Sequence, residues 1–176
     1  VIATVEDLQQ FARAVDAGDY DGKTDAVVEL AADLDLTGIE WTPIGSTVNE
    51  DGEVEHCFSG KFYGNGYTIS NLDFSENYGK TEYPSFGFFS EVHGAEISGL
   101  TIQGNLDVSN SEYVFFGTVA GVAVDSKISD CVSNVSFTDT DKYINGTVAL
   151  CGYAINSTIE YCQNMQNFQA QNGAVL

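Results

Sequence analysis

Four isoleucines at nearly equal spacing set the strongest limit on what this chain can fold into. Ile69, Ile97, Ile128 and Ile159 recur at intervals of 28, 31 and 31 residues, and the third residue after each is Leu72, Leu100, Cys131 or Cys162. A second series precedes the later three isoleucines: Phe-Gly-Phe-Phe-Ser-Glu-Val (86–92), Phe-Gly-Thr-Val-Ala-Gly-Val (116–122) and Val-Ala-Leu-Cys-Gly-Tyr (148–153). A unit of this length, made of short β-type pieces separated by Gly, Asn and Ser, cannot bury its apolar face alone, whereas a stack of such units can. The pattern predicts an all-β solenoid whose coils rise by about 4.8 Å, the spacing of hydrogen-bonded strands. The Ile column and the Leu72, Leu100, Cys131, Cys162 column are the expected internal ladders. A helical-repeat solenoid is the competing architecture, but β-branched and Gly-rich pieces of five to eight residues argue against it.

Residues 1–25 read differently, as a capping helix and a turn. Thr4 is an N-cap residue, Glu6 and Asp7 suit the positive end of a helix, and Leu8, Phe11, Ala12 and Val15 form one apolar stripe. Gly18 stops the helix and Asp-Tyr-Asp-Gly (19–22) is turn chemistry. Residues 26–176 form the repeat region, opening with an extended segment in which Leu30, Leu34 and Leu36 point inward. The expectation is a helix-capped solenoid of about five coils.

The segment Gly-Lys-Phe-Tyr-Gly-Asn-Gly-Tyr-Thr-Ile-Ser-Asn-Leu (60–72) resembles the F-x-G-x-x-D-G-N-G-Y-T-I-x-N-L signature of bacterial GLUG-type repeat proteins. Trp-Thr-Pro-Ile-Gly (41–45) is similar to their lead-in, and residues 148–162 resemble their G-G-L-V-G-x-N-x-G-x-I-x-N-C unit. The likeness runs from about residue 26 to the end. It departs at Tyr-Gly-Asn-Gly (63–66) in place of D-G-N-G, and at Phe89 and Cys151, where small aliphatic residues are usual. The resemblance implies a right-handed parallel β-helix of a secreted or cell-surface bacterial protein, adhesin-like or a non-catalytic region of an immunoglobulin A peptidase. It carries over no catalytic residue.

Charge narrows the partners. The 176 residues hold 26 acids against 6 Lys and Arg, a formal net charge of −20. Phosphate backbones and anionic membrane surfaces need a basic face that six cations cannot build. No apolar run approaches the roughly 20 residues that span a bilayer, so no membrane insertion is expected. The two histidines, His56 and His93, belong to no H-E-x-x-H motif. The cysteines (Cys57, Cys131, Cys151, Cys162) show neither a C-x-x-C pair nor metal-ligand spacing. Cys131 and Cys162 fall in one ladder, either as buried free thiols or as a disulfide. Asp-Ala-Gly-Asp-Tyr-Asp-Gly (16–22) faintly echoes a calcium loop, with Ala17 and Val28 where acids are required. No cofactor is expected beyond weak, non-specific divalent cation binding.

A polyuronate lyase would need cations that this chain lacks, and its charge would repel the substrate. A polysaccharide hydrolase needing only two carboxylates stays open on composition. The loops carry a second period: Tyr83, Tyr113 and Tyr143 recur at intervals of 30, preceded by Glu82, Glu112 and Lys142. A tyrosine line beside carboxylates can stack on sugar rings and bond their hydroxyls, making a host glycan or surface protein a candidate partner. The same column also serves to pack loop on loop. The sequons at Asn134, Asn145 and Asn156 read as turn polarity in a bacterial protein.

Asn-Gly-Ala-Val-Leu (172–176) echoes Asn-Gly-Thr-Val-Ala-Leu (145–150), so further repeats or a cap of the same chain are expected to follow. The acids are unevenly spread: residues 1–60 net −12, residues 61–120 net −5 and residues 121–176 net −3. Concentrated at the capped end, they oppose end-to-end stacking there.

Overall fold

The computed structural model describes residues 1–74, 85–107, 115–138 and 149–165. Its one helix, α1 (Val5–Asp16), begins as the sequence dictates. The Thr4 hydroxyl accepts from the Asp7 amide, and the Asp7 carboxylate accepts from the Thr4 amide, closing a reciprocal cap. Leu8, Phe11 and Val15 are its buried stripe. Ile2, just before the helix, exchanges backbone hydrogen bonds with Glu29 and Ala31, so the first strand does not present a bare edge.

The rest is a three-sided parallel solenoid. Its first face stacks β1 (Val27–Glu29), β3 (Lys61–Tyr63), β7 (Glu96–Ser98), β10 (Lys127–Ser129) and β13 (Thr158–Glu160). The second face stacks β2 (Leu34–Asp35), β4 (Thr68–Asp73), β8 (Thr101–Asp107), β11 (Val132–Thr138) and β14 (Gln163–Asn164). The third face is shorter: β5 (Ser85–Phe86) and β6 (Phe89–His93) pair with β9 (Phe115–Val124), which pairs with β12 (Ala149–Ile155). Every named strand pair is parallel. Two faces thus carry five rungs, but about three turns are complete, against the five expected. In the first turn the third side is reduced to single bridges from Ile44 and Phe58 to β6, because residues 47–55 leave the wall in a turn bridged by Val48 and Val54.

Register decides which residues share a ladder. Val28, Phe62, Ile97, Ile128 and Ile159 stack in line on the first face. Ile69 does not join them; it lies on the second face between Leu34 and Ile102. Three residues separate Gly64 from Thr68 where one, Leu100, separates Gly99 from Thr101. Those two extra residues carry the similar string Ile-Ser-Asn-Leu past the corner. Leu72 therefore leaves the column too, and faces Gly104 across a bulge. Leu100, Cys131 and Cys162 do occupy one corner on successive rungs, with the Leu100 carbonyl accepting from Val132 and the Cys131 carbonyl from Gln163.

Two columns of left-handed residues turn the chain between faces. Gly94, Asp125 and Asn156 (φ 64°, 48° and 49°) mark the entry to the first face, and Gly99, Asp130 and Tyr161 (φ 65°, 53° and 55°) mark its exit. Serines reinforce the entry corner: the Ser126 hydroxyl accepts from the Ala95 amide, and that of Ser157 from the Ser126 amide. Inside, the tube tapers from aromatic to small. Phe11, Phe58, Phe62, Phe88 and Phe89 interlock beneath the helix, and Trp41 stacks on Phe88 while its indole N–H donates to the Gly87 carbonyl. On the third face the column passes from Ile44 through Phe89 to Ala120 and Cys151. Ile159, with no strand above it among the described residues, is 41% exposed although its ladder neighbour Ile128 is fully buried.

Two stability tests follow from the corners and the close approach. A left-handed conformation costs an L-residue about 1–2 kcal/mol, and Tyr161 is 79% exposed. Tyr161→Gly is therefore expected to raise the denaturation midpoint, by roughly the low end of that range. A Cβ at Gly104 would run into the Leu72 carbonyl, so Gly104→Ala is expected to cost about 1–3 kcal/mol, read from urea denaturation of the two chains side by side.

Candidate functional site

A cleft of about 640 Å³ lies on the outer side of the second face, floored by three of its strands. Its floor comes from outward-pointing positions of β4, β8 and β11, which alternate with the buried Ile102, Leu106 and Val135. Register aligns Gln103 with Asn134, and Asp73 with Asn105 and Ser136. Thr37 and Gly38 close the capped end and Met165 the other.

The side chains are partly held by one another. The Ser136 hydroxyl donates to the Gly104 carbonyl and to Asn105 Oδ1, both at 3.2 Å. Asn71, left-handed at φ 55° in the bulge, donates its amide to Asp35 Oδ1 at 2.8 Å. Asp35 also accepts the Thr37 hydroxyl at 2.6 Å and its amide at 3.0 Å. Led by the Thr37 hydroxyl, these bonds hold the Asp35 carboxyl below its usual range. Among the described lining residues there is one carboxylate, Asp73, and no cation. The surface is rich in neutral amides and hydroxyls, donors and acceptors together, and suits an uncharged polyhydroxylated ligand. Among the described lining residues no nucleophile stands beside a base.

Tyr83, Tyr113, Tyr143, Glu82 and Glu112 lie outside the described residues, as do residues 172–176. The strands that floor the cleft, β4, β8 and β11, are those from which the tyrosine-bearing segments continue. Asp16 and Asp21 of the calcium-like string are engaged by the backbone. Asp16 accepts the amides of Gly45 and Ser46, and Asp21 accepts that of Cys57 while pairing with His56 Nδ1 at 2.7 Å. Burial nevertheless pushes the Asp16 carboxyl up. Among the described residues no group of three His, Cys, Asp or Glu could hold a metal ion, and no helix is long and apolar enough to cross a membrane.

Each histidine is a surface partner of an acid. Hydrogen bonding to Asp21 holds the His56 imidazolium above its ordinary range. Hydrogen bonds to Cys57 and then to Glu91, the latter at 3.1 Å, raise His93 to about 10. All four cysteines are free thiols.

No known protein family matches the chain, and no curated protein does. Among solved structures, a putative immunoglobulin A1 protease from Bacteroides ovatus shares the fold, with a TM-score of 0.51 and 17% identity. The match covers 93% of this chain and 56% of that one, so this chain spans about half the length of its structural neighbour. At that identity the likeness shows a shared β-solenoid architecture.

The His93 shift makes a signed prediction. A group whose folded pKa is raised adds stability that is complete below its unfolded value, near 6.5, and is lost as pH rises through the folded value near 10. Urea midpoints are expected to fall between pH 6.5 and 10, and His93→Gln should flatten that part of the profile. An imidazole NMR titration should place His93 well above a free histidine.

Proposed function

We propose that this chain is a non-catalytic β-solenoid segment of a bacterial secreted or cell-surface protein, a GLUG-type repeat module that serves as a scaffold and in adhesion. The cleft on the second face is the seat it offers to a ligand, and an extended neutral glycan is the ligand class that its chemistry fits. The observation that carries the reading is the composition of that cleft: amides and hydroxyls aligned across successive rungs, with one carboxylate and no cation among the described lining residues. A glycan chain presents hydroxyls at regular intervals, and rungs about 4.8 Å apart present amides at regular intervals. Glycoside hydrolysis requires two carboxylates flanking the scissile bond, and the described lining supplies one. The fold shared with a longer chain described as a putative immunoglobulin A1 protease supports a place within a larger exported protein, outside its catalytic part.

The test is a neutral-glycan array followed by titration of the best ligand. Each hydrogen bond is worth about 0.5–1.5 kcal/mol, so the double variant Gln103→Ala, Asn134→Ala is expected to weaken binding about tenfold. The ligand should be recovered intact. No binding to any neutral glycan, or binding untouched by the double variant, would overturn the ligand assignment. Release of shortened glycan would overturn the non-catalytic one.

A further inference from the structure

The corner between the first two faces brings two thiols together on consecutive rungs. Ser129 pairs with Glu160, and the Gln163 amide donates to the Cys131 carbonyl at 2.9 Å, so Cys131 and Cys162 stack directly. Their Cα atoms then stand about 4.8 Å apart, within the roughly 4.4–6.8 Å that a disulfide spans. Cys131 Sγ lies 3.2 Å from the Ser129 carbonyl oxygen, and Cys162 Sγ 3.3 Å from that of Glu160. Cys162 Sγ also comes within 3.8 Å of the Ile128 carbonyl oxygen, so it reaches back to the rung that carries Cys131.

The pair is asymmetric in the way that thiol exchange requires. Cys131 is fully buried, while Cys162 is partly exposed on the last described rung. The adjacent Cys131 thiol lowers Cys162 to about 7, and Cys162 together with burial pushes Cys131 up. Cys162 is the accessible nucleophile and Cys131 the sheltered second thiol. In-register side chains point side by side, whereas a relaxed disulfide wants a dihedral near 90°. The adjustment falls on β13 and β14, which among the described residues have a partner strand on one side.

We propose that Cys131 and Cys162 form a redox pair that closes, on reaction with a low-molecular-weight disulfide, into a cross-rung bond fastening the last described rung to the one below. In the first step the Cys162 thiolate attacks one sulfur of the small disulfide, forms a mixed disulfide and releases one small thiolate. Cys131 then loses its proton and its sulfur attacks that of Cys162, expelling the second small thiolate. The protein loses two electrons and two protons, and the small disulfide is reduced to two thiols. This inference is independent of what the cleft binds.

Oxidised glutathione is the probe. The reduced chain, incubated with it in excess, acid-quenched and alkylated in denaturant, is expected to show two free thiols where the untreated chain shows four. Peptide mapping with cleavage after Tyr153, which separates Cys151 from Cys162, should find the link between Cys131 and Cys162. In Cys131→Ser, Cys162 should retain one glutathione as a stable mixed disulfide. Amide exchange across residues 158–165 should slow severalfold in the oxidised chain. Four thiols surviving the treatment, a link through Cys57 or Cys151, or no adduct on Cys162 in the Cys131→Ser chain would each overturn the proposal. The mapping uses the unaltered chain and does not depend on the variant folding.

Discussion

Backbone pairing between rungs is the interaction on which everything else in this protein rests. Each strand satisfies its amides and carbonyls only through the strand above and the strand below, so no rung is complete by itself. Side-chain ladders inside and the polar columns outside inherit their alignment from that pairing. The inter-rung constraint also explains the unequal ends. At one end Ile2 and α1 cover the first strand and an aromatic cluster fills the tube. At the other, Ile159, Tyr153 and Met165 are 41%, 51% and 58% exposed on rungs that nothing covers among the described residues.

The acidity of the capped end has a structural use that charge alone does not reveal. Asp7, Asp16, Asp21, Asp33 and Asp35 each accept at least one backbone amide, and four of those bonds tie segments 29 to 36 residues apart. A carboxylate is a stronger acceptor than a neutral side chain, which suits loops that must be clamped where strand pairing is sparse. The stretch between β2 and β3 is such a place, joined to the third face by two bridges. Lysine and arginine are few there, and the aspartates are held mainly by amides, with His56 pairing to Asp21 besides.

Much of the architecture was legible because parallel rungs repeat residue types at a fixed interval. From β7 to β13 the interval is an unbroken 31, and Ile97, Ile128 and Ile159 could be read as a ladder from spacing alone. One turn earlier the reading slipped. The true partner of Ile97 is Phe62, an aromatic residue in an aliphatic column, chosen by the wider interior under the helix. The corner columns were illegible because Gly, Asp, Asn and Tyr share a backbone conformation there and no chemistry. The cleft was hidden for a related reason. Asn, Gln and Ser read as turn residues along the chain, and only register sets Gln103 beside Asn134. The tyrosine period, clear in sequence, falls in segments outside the described residues.

The left-handed corners fix the length of one face of the molecule from turn to turn. Gly94 to Gly99, Asp125 to Asp130 and Asn156 to Tyr161 are each separated by five positions. The chain running from the second face to the third takes eleven, seven and ten residues in successive turns, between Asp73 and Ser85, Asp107 and Phe115, and Thr138 and Ala149. Segments of such different lengths leave the first face in step, with Glu96, Lys127 and Thr158 still aligned on successive rungs. New surface chemistry can therefore be added where the second face hands on to the third, turn after turn, beside the strands that floor the cleft and without disturbing the first face.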